Sequence, residues 1–313
     1  MVAVFGEELS KEFLIKLKER VGEVFSGCKS IVVKLHFGEP GNQTSLTPDK
    51  IRPFMDILKE LGYDLVLYDS LVAYDSIRAD SVKHREYALS KGYGEFGEIR
   101  INDDFAVKKG RYMDYEISSD LIEADGVFVI SHVKGHPCSG FGGAIKNLGM
   151  GAVTKKSKGA IHNGGHYEFN KSACNKCGIC ETKCPLDFIK MGEDGPIFSD
   201  CYGCSNCCVH CPAGALKPNV EVFDKLLADC AKTAEDNFDK VFYVNIIKDI
   251  SKLCDCEAHG GGIIAEDVGF VFGGSAVDVD RESYDRIVRR DGEVFLRENK
   301  KKGDEQILAF EKM

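Results

Sequence analysis

The chain has 313 residues, 43% hydrophobic and 29% charged, with a formal net charge of -9. That is the make-up of a globular chain with one large or two smaller domains, and it excludes disorder and fibrous repeats. The acidic balance argues against nucleic acid as a partner, because phosphate backbones are held by excess Lys and Arg.

Outside one cysteine-rich stretch, helices and strands alternate. Residues 9–24 have helical periodicity, with Ser10 as candidate N-cap. Residues 30–35 (SIVVKL) form a β-branched run. Pro48 opens a helix that Gly62 closes near residue 61. Residues 64–68 (DLVLY) predict a strand and 75–91 a helix. A short helix at 119–124 precedes a buried strand at 126–131 (GVFVIS). After the cysteines, 220–234 is helical, 241–246 and 268–272 are strands, and 281–290 is a helix. The charged tail, 291–313, predicts a short strand or hairpin with a frayed end. Such alternation predicts an α/β fold, a largely parallel sheet with flanking helices.

Fourteen cysteines stand beside no Trp. Eight fall into two matching runs, Cys174-x2-Cys177-x2-Cys180-x3-Cys184-Pro185 and Cys201-x2-Cys204-x2-Cys207-x3-Cys211-Pro212. This is the bacterial spacing for paired [4Fe–4S] clusters, in which the fourth Cys of each run ligates the other cluster. One cluster would take Cys174, Cys177, Cys180 and Cys211, and the other Cys201, Cys204, Cys207 and Cys184. Zinc sites favour two separated CxxC pairs instead. Residues 171–218 resemble a small α+β bacterial-type ferredoxin module, and their linker DFIKMGEDGPIFSD predicts a hairpin. The expected organisation is therefore 1–170 as the first half of the α/β part, 171–218 inserted, and 219–313 as the second half. Two α/β lobes joined by the module are the alternative.

Open α/β sheets bind ligands beyond the carboxyl ends of their strands. Here those positions are polar. His36 follows the first strand, Asp69 and Ser70 the second, and His132, Lys134, His136 and Cys138 the third. Asn245 ends the strand that leads to Cys254, Cys256 and His259. The third loop continues through Gly140, Gly142, Gly143, Lys146 and Asn147 to Lys155, Lys156 and Lys158. Glycines let backbone N–H groups approach an anion, so Gly140, Gly142, Gly143, Lys134 and Asn147 are candidate contacts for an anionic small molecule. His136, Lys146, His132 and His36 are candidate catalytic groups. Cys254, Cys256, His259 and His162 are a candidate second metal site, suited to zinc, nickel or iron.

SHVKGHPCSGFGGAIKNLGMG, the paired cysteine runs, NIIKDISKLCDC and VGFVFGGSAVDVD resemble the DUF362 family of iron–sulfur proteins over nearly the full length. In that family the last segment carries an Asp-Pro that is missing here; Asp267, Gly269, Ser275 and Asp278 keep part of the pattern. His136, Lys146 and His162 also resemble the N-terminal region of the nickel-pincer lactate racemases. That likeness implies a lysine near a bound cofactor, with one His as proton carrier and the other as metal ligand.

The expectation is an iron–sulfur electron-transfer protein, an oxidoreductase or its subunit passing electrons from two [4Fe–4S] clusters to a substrate or further metal at the strand ends. A carrier docking on a partner enzyme, or a metal-binding protein with structural clusters, are the alternatives. The partner would be a redox protein or a small-molecule substrate. The opening MVAVFGEELSKEF lacks a signal-peptide pattern, and no apolar run approaches the ~18 residues of a bilayer span. A cytoplasmic location is expected, with the cysteines as ligands or reduced thiols.

Overall fold

A computed structural model describes residues 2–313. Seven strands share one sheet: β1 (Val4–Gly6), β2 (Ser30–Lys34), β3 (Asp64–Tyr68), β4 (Glu98–Arg100), β5 (Val127–His132), β6 (Val241–Ile247) and β7 (Gly269–Gly273), in the order β1-β7-β6-β5-β2-β3-β4. The run β6-β5-β2-β3-β4 is parallel throughout; β7 and β1 add an antiparallel edge. The fold is thus mixed α/β with a mostly parallel central sheet. Strands from both sides of the cysteine segment meet in it, with Val127 beside Val241.

The strands read as continuous apolar runs because helices cover both faces. Along β5, Phe128 and Ile130 join one core while Val127 and Val129 join the other, the two-residue alternation of extended backbone. The first core takes α1 (Lys11–Val24), whose buried Phe13, Leu17 and Val21 recur every fourth residue, and α2 (Pro48–Glu60). Ser10 Oγ accepts from the Phe13 N–H, the cap that the sequence predicts. After α2 comes α3 (Ser81–Ser90), preceded by a separate 3-10 turn at Ile77–Ala79, so the helix expected from residue 75 starts later.

The second core takes four helices of eight residues or more. The glycine-rich stretch expected to be a loop instead forms a hairpin, Lys134–His136 against Gly140–Gly142, followed by α4 (Ala144–Gly151) and α5 (Lys155–Gly164). The other two are α6 (Phe223–Glu235) and α7 (Ala276–Asp291). The tail corrects the expectation of a strand or hairpin: it forms α8 (Val294–Asn299) and α9 (Glu305–Phe310). Val294, Phe295, Ile307 and Phe310 drive this by burying themselves in the second core. Among the described residues no helix is long and apolar enough to cross a membrane.

Candidate functional site

The chain leaves β2 for β3 and β4 on one side, then returns to β5 on the other. Loops after β2 and β5 therefore diverge, and that crevice is where open α/β sheets bind ligands. A cavity of about 500 Å³ opens there. Five basic side chains line it (Lys34, Arg78, Lys134, Lys146, Lys158) against three carboxylates (Asp69, Asp255, Glu257). In an acidic chain this is a local reversal of charge.

Two buried aspartates organise the cations. Asp69, just past β3, takes Lys34 Nζ at 3.3 Å, Arg78 Nη2 at 3.0 Å and the Ser70 N–H at 2.9 Å. Asp255 takes His132 Nδ1 at 2.9 Å and Lys134 Nζ at 3.0 Å. Burial alone would raise both carboxyls. The adjoining cations outweigh it and hold each well below the usual carboxylate range.

Lys146 makes no hydrogen bond or ion pair to another described residue. Burial, reinforced by the Lys134 charge, pushes its amine down to about 7. Lys158 is also pushed to about 7 by burial, but its Nζ is engaged by Ser70 Oγ at 2.8 Å and by the Leu71 carbonyl. Lys146 is thus the uncommitted cation of the cavity, able to bind an anion or move a proton near neutrality.

The histidines differ by their partners. His136 Nδ1 accepts from the N–H groups of Cys138 (3.1 Å) and Ser139 (3.2 Å), which puts the proton of the neutral ring on Nε2. His36 Nδ1 likewise accepts from Gly38 N–H at 3.0 Å. His162 is the reverse: Nδ1 donates to the Tyr202 carbonyl at 2.7 Å, so Nε2 keeps its lone pair. Burial pushes all three below the ordinary imidazole value. His136 therefore offers a donor and His162 an acceptor to one cavity.

Several expected roles change. His132 lines the cavity, and its Nε2 also meets the Lys248 carbonyl at 2.8 Å, so both ring nitrogens are occupied and the ring helps hold Asp255. Of the five expected anion contacts, Lys134, Gly143 and Asn147 line the cavity. Gly140 and Gly142 do not, because they pair with His136 and Lys134 in the hairpin. The α4 N-terminus is also unavailable to a ligand, since Asp280 already accepts from Ala144 (2.6 Å) and Ile145 (2.8 Å). Cys254 and Cys256 are joined as a disulfide, which corrects the expectation of free thiols at that pair. His136, not His259 or His162, lies with those sulfurs, all three ligand atoms being within 4.8 Å. His259 is exposed on a loop that the Ser251–Ile263 bridge closes, and His162 lies elsewhere on the wall. Lys34, Asp69, Arg78, Lys158 and Asp255 were not among the expected site residues. Of these, Asp69 carried a signal by its place after a strand, and Lys158 by its place in the glycine–lysine stretch.

In the cysteine segment, the linker hairpin pairs Ile189–Gly192 with Gly195–Phe198 as its pattern predicts. Cys174, Cys177, Cys180 and Cys211 surround one small cavity, together with Phe169, Ile179, Met191 and Leu216. Cys184, Cys201, Cys204 and Cys207 surround another, with Leu186, Phe188, Ile189 and Phe198. Cys201 and Tyr202 belong to the walls of both this second cavity and the large basic one. Gly203 makes the approach close. At φ +69°, a Cβ there would lie 1.9 Å from the His162 carbonyl, so only glycine brings the loop against α5. The C-terminal turn braces the other side, with Lys300 Nζ on the Cys184 carbonyl (3.0 Å) and Lys301 Nζ on that of Cys204 (2.9 Å).

The fold and cavity define a doubly wound α/β protein with a basic cavity at the switch point of its sheet. The chain belongs to the DUF362 family, a domain of unknown function whose model matches residues 31–285. Among solved structures it is similar to a protein from Thermotoga maritima, at 8% identity and a TM-score of 0.48, covering 91% of this chain and 59% of that one. It is also similar to the lactate racemase apoprotein from Thermoanaerobacterium thermosaccharolyticum, at 13% identity and 0.45, covering 91% and 57%. The chain thus spans under three fifths of either protein. A search of curated proteins gave no match.

Acid should weaken the cavity wall. Burial, with Arg78 adding to it, pushes His84 down to about 4, and its Nε2 accepts from Arg78 Nε at 3.2 Å. The unfolded chain binds that proton near pH 6.5 and the folded one does not, so stability falls as pH drops from 6.5 towards 4. The His84 share is about 3 kcal/mol. Urea unfolding across this range should show a shallower pH slope for His84→Gln, with His36, His136 and His162 supplying the remainder. An unchanged slope would remove His84 from the account.

Proposed function

We propose that this is an iron–sulfur redox protein that passes electrons through its cysteine segment to a small anionic molecule in the basic cavity. One observation carries this reading: Cys201 stands on the wall of both the second cysteine cavity and the basic cavity. A group held by Cys184, Cys201, Cys204 and Cys207 would adjoin the bound molecule.

The donor sets fit [4Fe–4S] clusters. Four thiols meet at each small cavity, and the remaining lining is largely apolar. Three cysteines at intervals of three with a fourth before proline, twice over, is the bacterial spacing for such clusters, whereas zinc sites favour two separated CxxC pairs. When bound, such clusters supply one electron each.

The chain's own residues do the rest. Lys146 and the paired cations around Asp69 and Asp255 hold a carboxylate or phosphate. His136 Nε2–H donates to the bound molecule, while His162 Nε2 and the Lys146 amine take up or return protons. Cys177 is the exposed member of the first set, so electrons enter from the surface at that end.

The reading is tested on anaerobically purified protein. It expects about eight iron per chain, the EPR signals of two coupled clusters after reduction, and faster reoxidation with particular small carboxylates or phosphates. Zinc in place of iron, or reoxidation indifferent to every anion tried, would overturn it.

A further inference from the structure

We propose that Cys254 and Cys256 form a redox-active disulfide, a two-electron store on the wall of the basic cavity. The inference rests on the iron–sulfur reading above, because it takes its electrons from those clusters.

Three observations point to it. First, the two sulfurs are bonded to each other although only Asp255 separates them in the chain. A cross-link closing so short a loop constrains the unfolded chain far less than one closing tens of residues. Stability therefore gives little reason for it.

Second, the loop is also held by contacts that do not involve the sulfurs. Asp255 is anchored to His132 and Lys134, and its carbonyl accepts from the Glu39 N–H at 2.8 Å. The Cys256 carbonyl accepts from Tyr74 Oη at 3.1 Å, and the Glu257 carbonyl from Asn42 Nδ2 at 2.8 Å. None of these contacts uses the S–S bond, so opening it removes none of them directly.

Third, the pair sits where electrons would arrive. Cys254 is fully buried, while Cys256 lines the same cavity as Cys201. A ring nitrogen of His136 lies within 4.8 Å of both sulfurs, poised to hydrogen-bond a thiolate.

The step balances. The S–S bond takes two electrons, one from each reduced cluster, and two protons from water. It breaks to two thiols and leaves both clusters oxidised. A low-potential one-electron carrier protein re-reduces the clusters. One-electron carriers are thereby joined to two-electron chemistry in the cavity.

The test uses the full cluster-loaded chain under anaerobic conditions. Photoreduced methyl viologen is titrated in, the thiols are alkylated, and peptides are weighed. Cys254 and Cys256 should pass from unlabelled to doubly labelled. Electron uptake should be about four per chain, and about two in Cys254→Ser/Cys256→Ser, whose EPR signals stay unchanged. Clusters reduced by EPR with the pair still unlabelled would overturn this inference and leave the iron–sulfur reading standing. A chain that binds no iron would overturn both. Labelling of the pair before any reductant is added would show free thiols and also sink it.

Discussion

Asp69→Ala is expected to lower the unfolding free energy by about 3–5 kcal/mol at pH 7, the cost of breaking a buried ion pair from one side. Asp69 is 1% exposed and neutralises two cations that are themselves 0% and 1% exposed, Lys34 and Arg78. Removing the carboxylate leaves both charges in a space with little water. It also frees the Ser70 and Phe37 N–H groups that now donate to it. Urea denaturation measures the loss. The double variant Asp69→Ala/Lys34→Met should recover part of it, because one orphaned cation goes as well. The carboxyl is depressed in the folded state, so its stabilisation is complete above the unfolded value near 3.9 and declines only below it. The gap between wild type and Asp69→Ala should therefore persist at pH 5. A cost under about 1 kcal/mol would mean that the cations find other partners.

Lys146→Met should act in the opposite way on stability. The wild-type side chain holds an amine in the cavity with no partner among the described residues, and burial already works against its charge. A methionine of similar length removes that penalty, so unfolding should need as much urea as wild type or more. Reoxidation of the reduced protein by an anionic acceptor should slow by about 10²- to 10⁴-fold, the usual range for a lost acid–base group. The combination of retained stability and lost rate separates a group kept for chemistry from one kept for packing. If Lys146→Met keeps the wild-type rate, Lys158 is the next cation to test, although its ties to Ser70 and Leu71 make it the poorer candidate.

Fold and site were legible to different degrees. The paired cysteine runs announced their own grouping, because three cysteines at intervals of three on a tight loop can face one centre. The two small cavities are lined by the same two sets of four that the spacing assigns. The central strands were legible for a similar reason, since burial on both faces demands unbroken apolar runs such as VFVIS in β5. The tail misled because its apolar residues are few: Val294, Phe295, Ile307 and Phe310 become helical only when the second core receives them. Strand β1 is the three-residue edge strand and pairs only with the antiparallel strand β7, so it leaves no period to read.

Sequence alone therefore determined the grouping of the eight cysteines, the α/β character and the polar strand ends, because local spacing and burial period carry that information. Tertiary structure decided which polar groups act together. Strand order put the divergence between β2 and β5, and with it the cavity. Partners 35 and 123 residues apart then settled each charge: Lys34 with Asp69, His132 with Asp255. Those pairings leave Lys146 free and occupy His132, and they bring the Cys254–Cys256 disulfide beside His136. No local pattern encodes such long-range choices, because they depend on which loops the sheet delivers to the same edge.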